Sequence, residues 1–255
     1  MVSSRTILFW EKEFAAAAAS ATLDANDRDT LDRCINFLGD VRDRTILDIG
    51  CGLGKNSIAL AQLGALVTSI DTSRDAVAKL SSYAKAHNLH ITALVRDALE
   101  IDKLGVFDFV VGSMILHHIE PFSLFCEALF AALKPHGRAF FHENNAASRL
   151  LVWMRTHVVG RLWVPKYGDP DEFPLQPQEV DMLRHRFKVT RMFPEFVFFQ
   201  LISPYLLKGR GSTWLKSLDD LICRHGVFVE YSYRQDLLIE KTGLADSHGD
   251  TKLAD

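Results

Sequence analysis

The 255-residue sequence predicts an α/β fold, a seven-stranded and mostly parallel sheet with helices on both faces. Three observations carry that prediction. Between Val41 and Asn145, short apolar runs alternate with segments of helical periodicity, the pattern of parallel strands joined by crossover helices. The run Ile46-Leu47-Asp48-Ile49 passes straight into Gly50, Gly52 and Gly54, and then into a helical pattern at Ile58, Leu60, Ala61 and Leu63. Strand, glycine loop and helix N-terminus therefore lie together, with free backbone amides beside whatever binds there. Hydrophobic residues make up 48% of the chain, enough for one domain with additions and too many for a disordered one.

The elements follow in order. Residues 5–40 read as two helices: Phe9, Trp10 and Phe14 share one face of the first, and Ala15–Ala19 has high helix propensity. Asp24 or Asn26 caps the second, which carries Leu31, Cys34, Ile35 and Leu38 on one side. These helices either cover an edge of the sheet or close over a pocket. After the glycine loop and its helix, Leu66–Ile70 is the second strand, ending in Asp71, and Thr72 or Ser73 caps a helix running to His87. Thr92–Arg96 is the third strand, followed by Asp97-Ala98; Phe107–Ser113 is the fourth; a helix over Pro121–Leu133 leads to the fifth, which contains Phe140-Phe141.

Beyond Asn145 an insertion begins, roughly Ala146 to Pro177, with Leu150, Leu151, Trp153, Met154, Val158 and Val159 among Arg149, Arg155, Arg161 and Lys166. Tyr167-Gly168-Asp169-Pro170 is turn chemistry. A helix over Gln178–Phe187, a strand over Lys188–Phe193, an amphipathic helix over Trp214–Cys223 and a last strand over Tyr231–Glu240 complete the pattern. The expected organisation is a helical lid at 1–40, a binding core at 41–145, an insertion capping the substrate at 146–186, sheet-completing elements at 187–244 and a disordered tail at 245–255.

Composition narrows the function. A net charge of −3 argues against wholesale nucleic-acid binding. Cys34, Cys51, Cys126 and Cys223 have neither disulfide nor zinc spacing, which suits a reducing cytoplasm. Cys51 reads as a small packing residue. Glu11-Lys12-Glu13 interrupts the N-terminal apolar run, so no signal peptide is expected. The uncharged segment Phe196–Leu207 contains Pro204 and is too short to span a bilayer, and its apolar surface would suit a homodimer.

The glycine loop separates three ligand classes. A phosphate-cradling loop needs Gly, four residues, then Gly-Lys-Ser/Thr, but Ile49 stands at the first position and Asn56 at the last. A dinucleotide fingerprint counted from Gly50 ends on Lys55. Asp48 would repel a pyrophosphate and attract a ligand carrying an ammonium and a sulfonium.

Asp48-x-Gly50-x-Gly52-x-Gly54 resembles motif I of the class I S-adenosylmethionine-dependent methyltransferases. Asp71, Asp97, the run Phe107–Ser113 and Leu133-Lys134-Pro135-His136-Gly137-Arg138 resemble further landmarks in the same order, over about Val41 to Asn145, with His136 where many relatives have glycine. The resemblance implies a Rossmann-like sheet with an antiparallel last strand, S-adenosylmethionine as cofactor and S-adenosylhomocysteine as product. It places Asp48, Gly50, Gly52 and Gly54 at the methionine end, Asp71 at the ribose and Asp97 at the adenine. Cys51, Thr72, Ala98 and Ser113 complete the implied cofactor set.

Reactive side chains follow the fourth strand (His117, His118) and the fifth (His142, Glu143). In the family's strand order His117 and Glu143 face one another beside the methyl group, a His–Glu general base suited to a hydroxyl acceptor. A Leu-His-His-Ile stretch also recurs for unrelated substrates, so His117 has a structural reading too. Methylation of nitrogen or carbon needs no strong base. No metal-ligand spacing is visible. Trp10, Phe14, His118, His142 and Arg149 are the expected acceptor contacts. The aromatic-rich accessory region suggests a small lipophilic or aromatic acceptor, as in secondary-metabolite, quinone or lipid tailoring. The rivals are an RNA or protein methyltransferase, which the charge and Gly112-Ser113-Met114-Ile115 disfavour, and a non-catalytic cofactor-binding subunit.

Overall fold

The computed structural model describes residues 4–15, 17–20, 22–157, 173–195, 197–201, 212–226 and 228–242. Its strands are β1 (Thr45–Ile49), β2 (Leu66–Asp71), β3 (Ile91–Val95), β4 (Phe107–Ser113), β5 (Leu133–Asn144), β6 (Lys188–Met192) and β7 (Arg234–Glu240). They form one sheet in the order β3-β2-β1-β4-β5-β7-β6. The first five pair in parallel, and β7 runs antiparallel to both β5 and β6, so a single strand opposes the other six. The chain reverses direction across the sheet between β1 and β4, which opens a crevice at their carboxyl ends.

Both faces of the central strands are apolar because both are covered. Side chains alternate across the strand, so neighbours in sequence belong to opposite layers. Ile46 and Phe140 pack with Cys34, Leu38 and Leu60 from α2 (Ala25–Leu38) and α3 (Lys55–Gln62). Leu47 and Phe141 pack with Phe125 and Leu129 of α5 (Phe122–Ala132) and Leu183 of α7 (Pro177–Arg184). Each such fully buried side chain contributes about 1.5–3 kcal/mol.

The helix starts obey local chemistry. Asp24 caps α2 reciprocally: its carboxylate accepts from the Asp27 amide at 2.8 Å, and Asp27 accepts from the Asp24 amide at 3.2 Å. Ser73 caps α4 (Arg74–Ala86), as its spacing predicts. α1 (Ser4–Ala15) stops before much of the alanine run, while α6 (Arg149–His157) opens the insertion as a helix and α8 (Ser212–His225) follows the β6 region.

Two boundaries differ from expectation. The segment Lys134–Gly137, expected between the helix ending at Leu133 and the fifth strand, is already strand: Leu133 pairs with Phe107, and a register shift next to it absorbs the turn in which His136 takes φ +60°. The last strand begins at Arg234 rather than Tyr231, because Val229–Tyr231 forms a 3-10 turn first. The expected turn at 167–170, and Val158, Val159, Arg161, Trp163 and Lys166, lie outside the described residues. So do most of the apolar segment 196–207 and the whole of the tail 245–255. Among the described residues, no helix is long and apolar enough to cross a membrane.

Candidate active site

The loop after β1 is shaped by glycines that sit where side chains cannot. Gly50 has φ +65°, and a Cβ there would lie 2.5 Å from Ile115 Cγ1; Gly54 has φ +85°, and a Cβ there would run into Leu80 Cδ1. The Cys51 amide donates to the Ile70 carbonyl at 3.0 Å, and the Gly52 amide donates to Asp71 Oδ2 at 2.8 Å. Asp71 Oδ1 accepts from the Ser73 amide at 2.8 Å, so the carboxylate at the end of β2 bridges the glycine loop and the start of α4. Burial raises the Asp71 pKa, and the amides of Ser73, Gly52 and Thr72 oppose that rise.

Asp48 lies beneath the loop and is fully buried. Its carboxylate accepts from Ser57 Oγ, which also lies 2.8 Å from Ser69 Oγ. Burial pushes its pKa up to about 7, Ser57 opposes the shift and the neighbouring Asp71 charge adds to it.

Above the carboxyl ends of β1, β2 and β4 is a cavity of about 210 Å³. Gly50, Asp71 and Thr72 form its floor, Arg96 and Ala98 one side, and Ser113, Met114, Ile115 and His118 the other. Trp10 and Phe14 of α1 form its roof, their rings stacked at 5.6 Å. Phe14 rests on the loop, since a Cβ on Gly52 would come within 3.2 Å of its ring. Lys79 of α4 holds the end of this roof by donating to the carbonyls of Phe14, Ala15 and Ala17 at 2.5, 2.9 and 2.7 Å.

Ser113 and Met114 also line a second, polar cavity of about 310 Å³ on the other side of β4. Its walls include Asp29, Thr30 and Arg33 of α2, His142 of β5, Arg234 of β7, and Glu195. Met114 reaches both cavities because it sits at φ +55° with its amide bound to the His142 carbonyl at 2.8 Å.

His117 and Glu143 do come together, with Nδ1 of the ring 2.7 Å from Oε2. The other carboxylate oxygen accepts from the amides of Ile115 and Leu116 at 2.8 and 2.7 Å, and neither side chain has any exposed surface. Of the two adjacent histidines, His118 is the one in the cavity wall.

Of the residues expected at the cofactor, Gly50, Asp71, Thr72, Ala98 and Ser113 line the first cavity, together with the expected acceptor contacts Trp10, Phe14 and His118. Asp48, Cys51, Gly52, Gly54 and Asp97 are not among the residues that line it. The Asp97 carboxylate caps the following turn through the Leu99 amide at 2.9 Å, and burial pushes the Cys51 thiol well up, away from nucleophilic chemistry. His142 faces the second cavity, whereas Arg149 is exposed at the start of α6 and lines neither. Arg96, Met114, Arg33 and Arg234 carry no motif, and only the fold brings them to these walls. Among the described residues, no group of three His, Cys, Asp or Glu side chains is placed to hold a metal ion.

A methyltransferase-domain family model matches residues 46–137. The chain is 28% identical over 153 residues to the ubiquinone biosynthesis O-methyltransferase of Rickettsia felis, covering 59% of this chain and 62% of that protein. It is 34% identical over 149 residues to the same-named protein of Bradyrhizobium diazoefficiens, covering 55% and 57%. The chain thus spans about three-fifths of the length of these relatives. Its fold is similar to that of the N-methyltransferase NodS of Bradyrhizobium japonicum, solved with S-adenosylhomocysteine, at TM-score 0.62 and 14% identity over 94% of this chain and all of that one. It is also similar to magnesium protoporphyrin IX methyltransferase of Synechocystis, again with S-adenosylhomocysteine, at TM-score 0.58 and 17% identity over 92% and 94%.

Proposed function

We propose that the chain is a class I S-adenosylmethionine-dependent methyltransferase and that it methylates a hydroxyl of a small lipophilic or aromatic acceptor. The observation that carries this reading is the first cavity. A floor of glycine backbone, one carboxylate already oriented by amides, and an aromatic roof match a nucleoside carrying a sulfonium. When bound, S-adenosylmethionine supplies an electrophilic methyl group.

The chain's own residues do the rest. Asp71 holds the ribose hydroxyls, and Ala98 flanks the adenine in a wall that Asp97 stabilises from behind. The loop amides favour the methionine end, and so does the charge that buried Asp48 carries above its raised pKa of about 7. Trp10 and Phe14 exclude water and give the sulfonium an aromatic face, worth ~0.5–2 kcal/mol. Glu143 and His117 act by pinning the turn that carries Met114 and His118, since neither can meet an acceptor from its buried position. The O-methyltransferase names of the relatives support a hydroxyl acceptor. The cysteines Cys34, Cys51, Cys126 and Cys223 are free thiols, in keeping with the cytoplasmic setting we propose.

Calorimetric titration with S-adenosylhomocysteine tests the reading. We expect micromolar binding by the wild type and at least tenfold weaker binding by Asp71→Asn, with thermal melts showing that the variant remains folded. An absence of binding to the wild type would overturn the assignment.

A further inference from the structure

We propose that the polar cavity beyond Ser113 and Met114 is the acceptor site, and that His142, positioned by Asp236, is its general base. The inference rests on the methyltransferase reading and assigns a base that the motifs do not indicate. His142 of β5 and Asp236 of β7 are directly opposed across an antiparallel pair, so their side chains share one face of the sheet. The ring Nδ1 lies 2.6 Å from Asp236 Oδ1. A carboxylate only accepts, so Nδ1 carries the proton and the lone pair of the neutral ring resides on Nε2.

Asp236 is fully buried, a position a carboxylate keeps only when paired. Its second oxygen accepts from Arg33 Nε at 2.6 Å, and Arg33 is itself fixed by Thr30 at 3.1 Å and by an ion pair with Asp29. Asp236 therefore cannot rotate away, and the imidazole it holds has one orientation. His142 retains 16% of its side-chain surface, and Nε2 makes no hydrogen bond among the described residues. The pair at His117 and Glu143 is closed on both members, whereas this pair is closed at the carboxylate and open at the imidazole.

The cavity's position completes the argument. It shares Ser113 and Met114 with the first cavity, so an acceptor beside His142 would lie next to a cofactor held there. The charged groups around the ring and its cavity are Asp236 and Arg234 from β7, Asp27, Asp29 and Arg33 from α2, and Glu195 after β6. Arg234 donates through Nη1 to Asn144 Oδ1 at 2.8 Å and contacts Met114 Sδ at 3.1 Å. Its guanidinium makes no carboxylate pair among the described residues and suits an acceptor oxygen, anionic or carbonyl. In the step itself the acceptor O–H bond breaks and its proton goes to His142 Nε2. The acceptor oxygen forms a bond to the methyl carbon while the carbon–sulfur bond breaks, and sulfur keeps that electron pair. His142 then releases the proton to solvent.

The test combines spectroscopy and turnover. Long-range proton–nitrogen NMR of histidine-labelled protein saturated with S-adenosylhomocysteine should show His142 protonated at Nδ1 and bare at Nε2, with that preference lost in Asp236→Asn. Adding 3,4-dihydroxybenzoate, whose hydroxyl probes the base and whose carboxylate probes Arg234, should shift His142 Nε2 and leave His117 unmoved. With that acceptor, His142→Gln should lower kcat by about 100-fold or more with KM within threefold. Asp236→Asn should lower kcat by at least tenfold with KM within threefold, a split that a merely structural tie would not produce. A proton on Nε2 in the wild type, or a His142→Gln enzyme within threefold of wild-type kcat, overturns the proposal. Both variants should bind S-adenosylhomocysteine like the wild type. Intact binding with either adverse result rejects the base alone, and absent binding by the wild type rejects the methyltransferase reading instead.

Discussion

At the scale of single residues, Asp48 sets function against stability. Folding raises its carboxyl pKa from 3.8 to about 7, burial being the main cause. Between those values the native protein keeps a proton that the unfolded chain has lost, so stability is highest below that window and falls as pH rises through it. Asp48→Asn keeps an acceptor for Ser57 and removes the charge. Denaturant melts should place the variant above wild type at pH 8, by on the order of 2–4 kcal/mol, and bring the two together toward pH 4. Parallel pH profiles would show that the wild-type carboxylate carries no such penalty. The motif made Asp48 legible as a negative charge beside the loop. Its burial under Ser57 and Ser69, out of reach of the cavity, was not legible, because those partners lie on α3 and β2.

At the scale of elements, the site is a junction of loops and helix ends held by steric fit. Gly54 opens α3 in the left-handed region, with Leu80 of α4 where a side chain would go. Gly54→Ala therefore combines backbone strain with a clash and should cost about 2–3 kcal/mol, read as a lowered denaturation midpoint with an unchanged m-value. A loss under 0.5 kcal/mol would mean that α4 yields easily. The aromatic face of the roof helix α1 was legible, but its clamp by Lys79, which lies more than 60 residues away in the chain, was not. The turn after β4 reads in sequence as a pair of reactive histidines. In the fold, its register with β5 buries His117 against Glu143 and leaves His118 at the wall.

At the scale of the molecule, the first cavity draws on α1, the ends of β1, β2 and β4, and the segment after β3. A ligand that touches all of them binds the native state alone and stabilises the whole by mass action. S-Adenosylhomocysteine at 100 times its dissociation constant should add about 2.7 kcal/mol. For a chain of this size that raises Tm by roughly 5–10 °C, as differential scanning fluorimetry would show. A shift below 2 °C would indicate that the elements do not close together on the ligand.

The amino-acid sequence alone makes legible the sheet's parallel core, the glycine loop, the acid that ends β2 and the family resemblance these compose. Those features are encoded within short windows, where strand hydrophobicity, turn conformation and helix capping act on neighbouring residues. The tertiary structure alone decided which polar groups became accessible. Arg33 and Asp236 are 203 positions apart, and Asp236 meets His142 only because β7 runs antiparallel into the gap between β5 and β6. The register of that insertion, set by packing over the entire sheet, closes one histidine–carboxylate pair and opens the other.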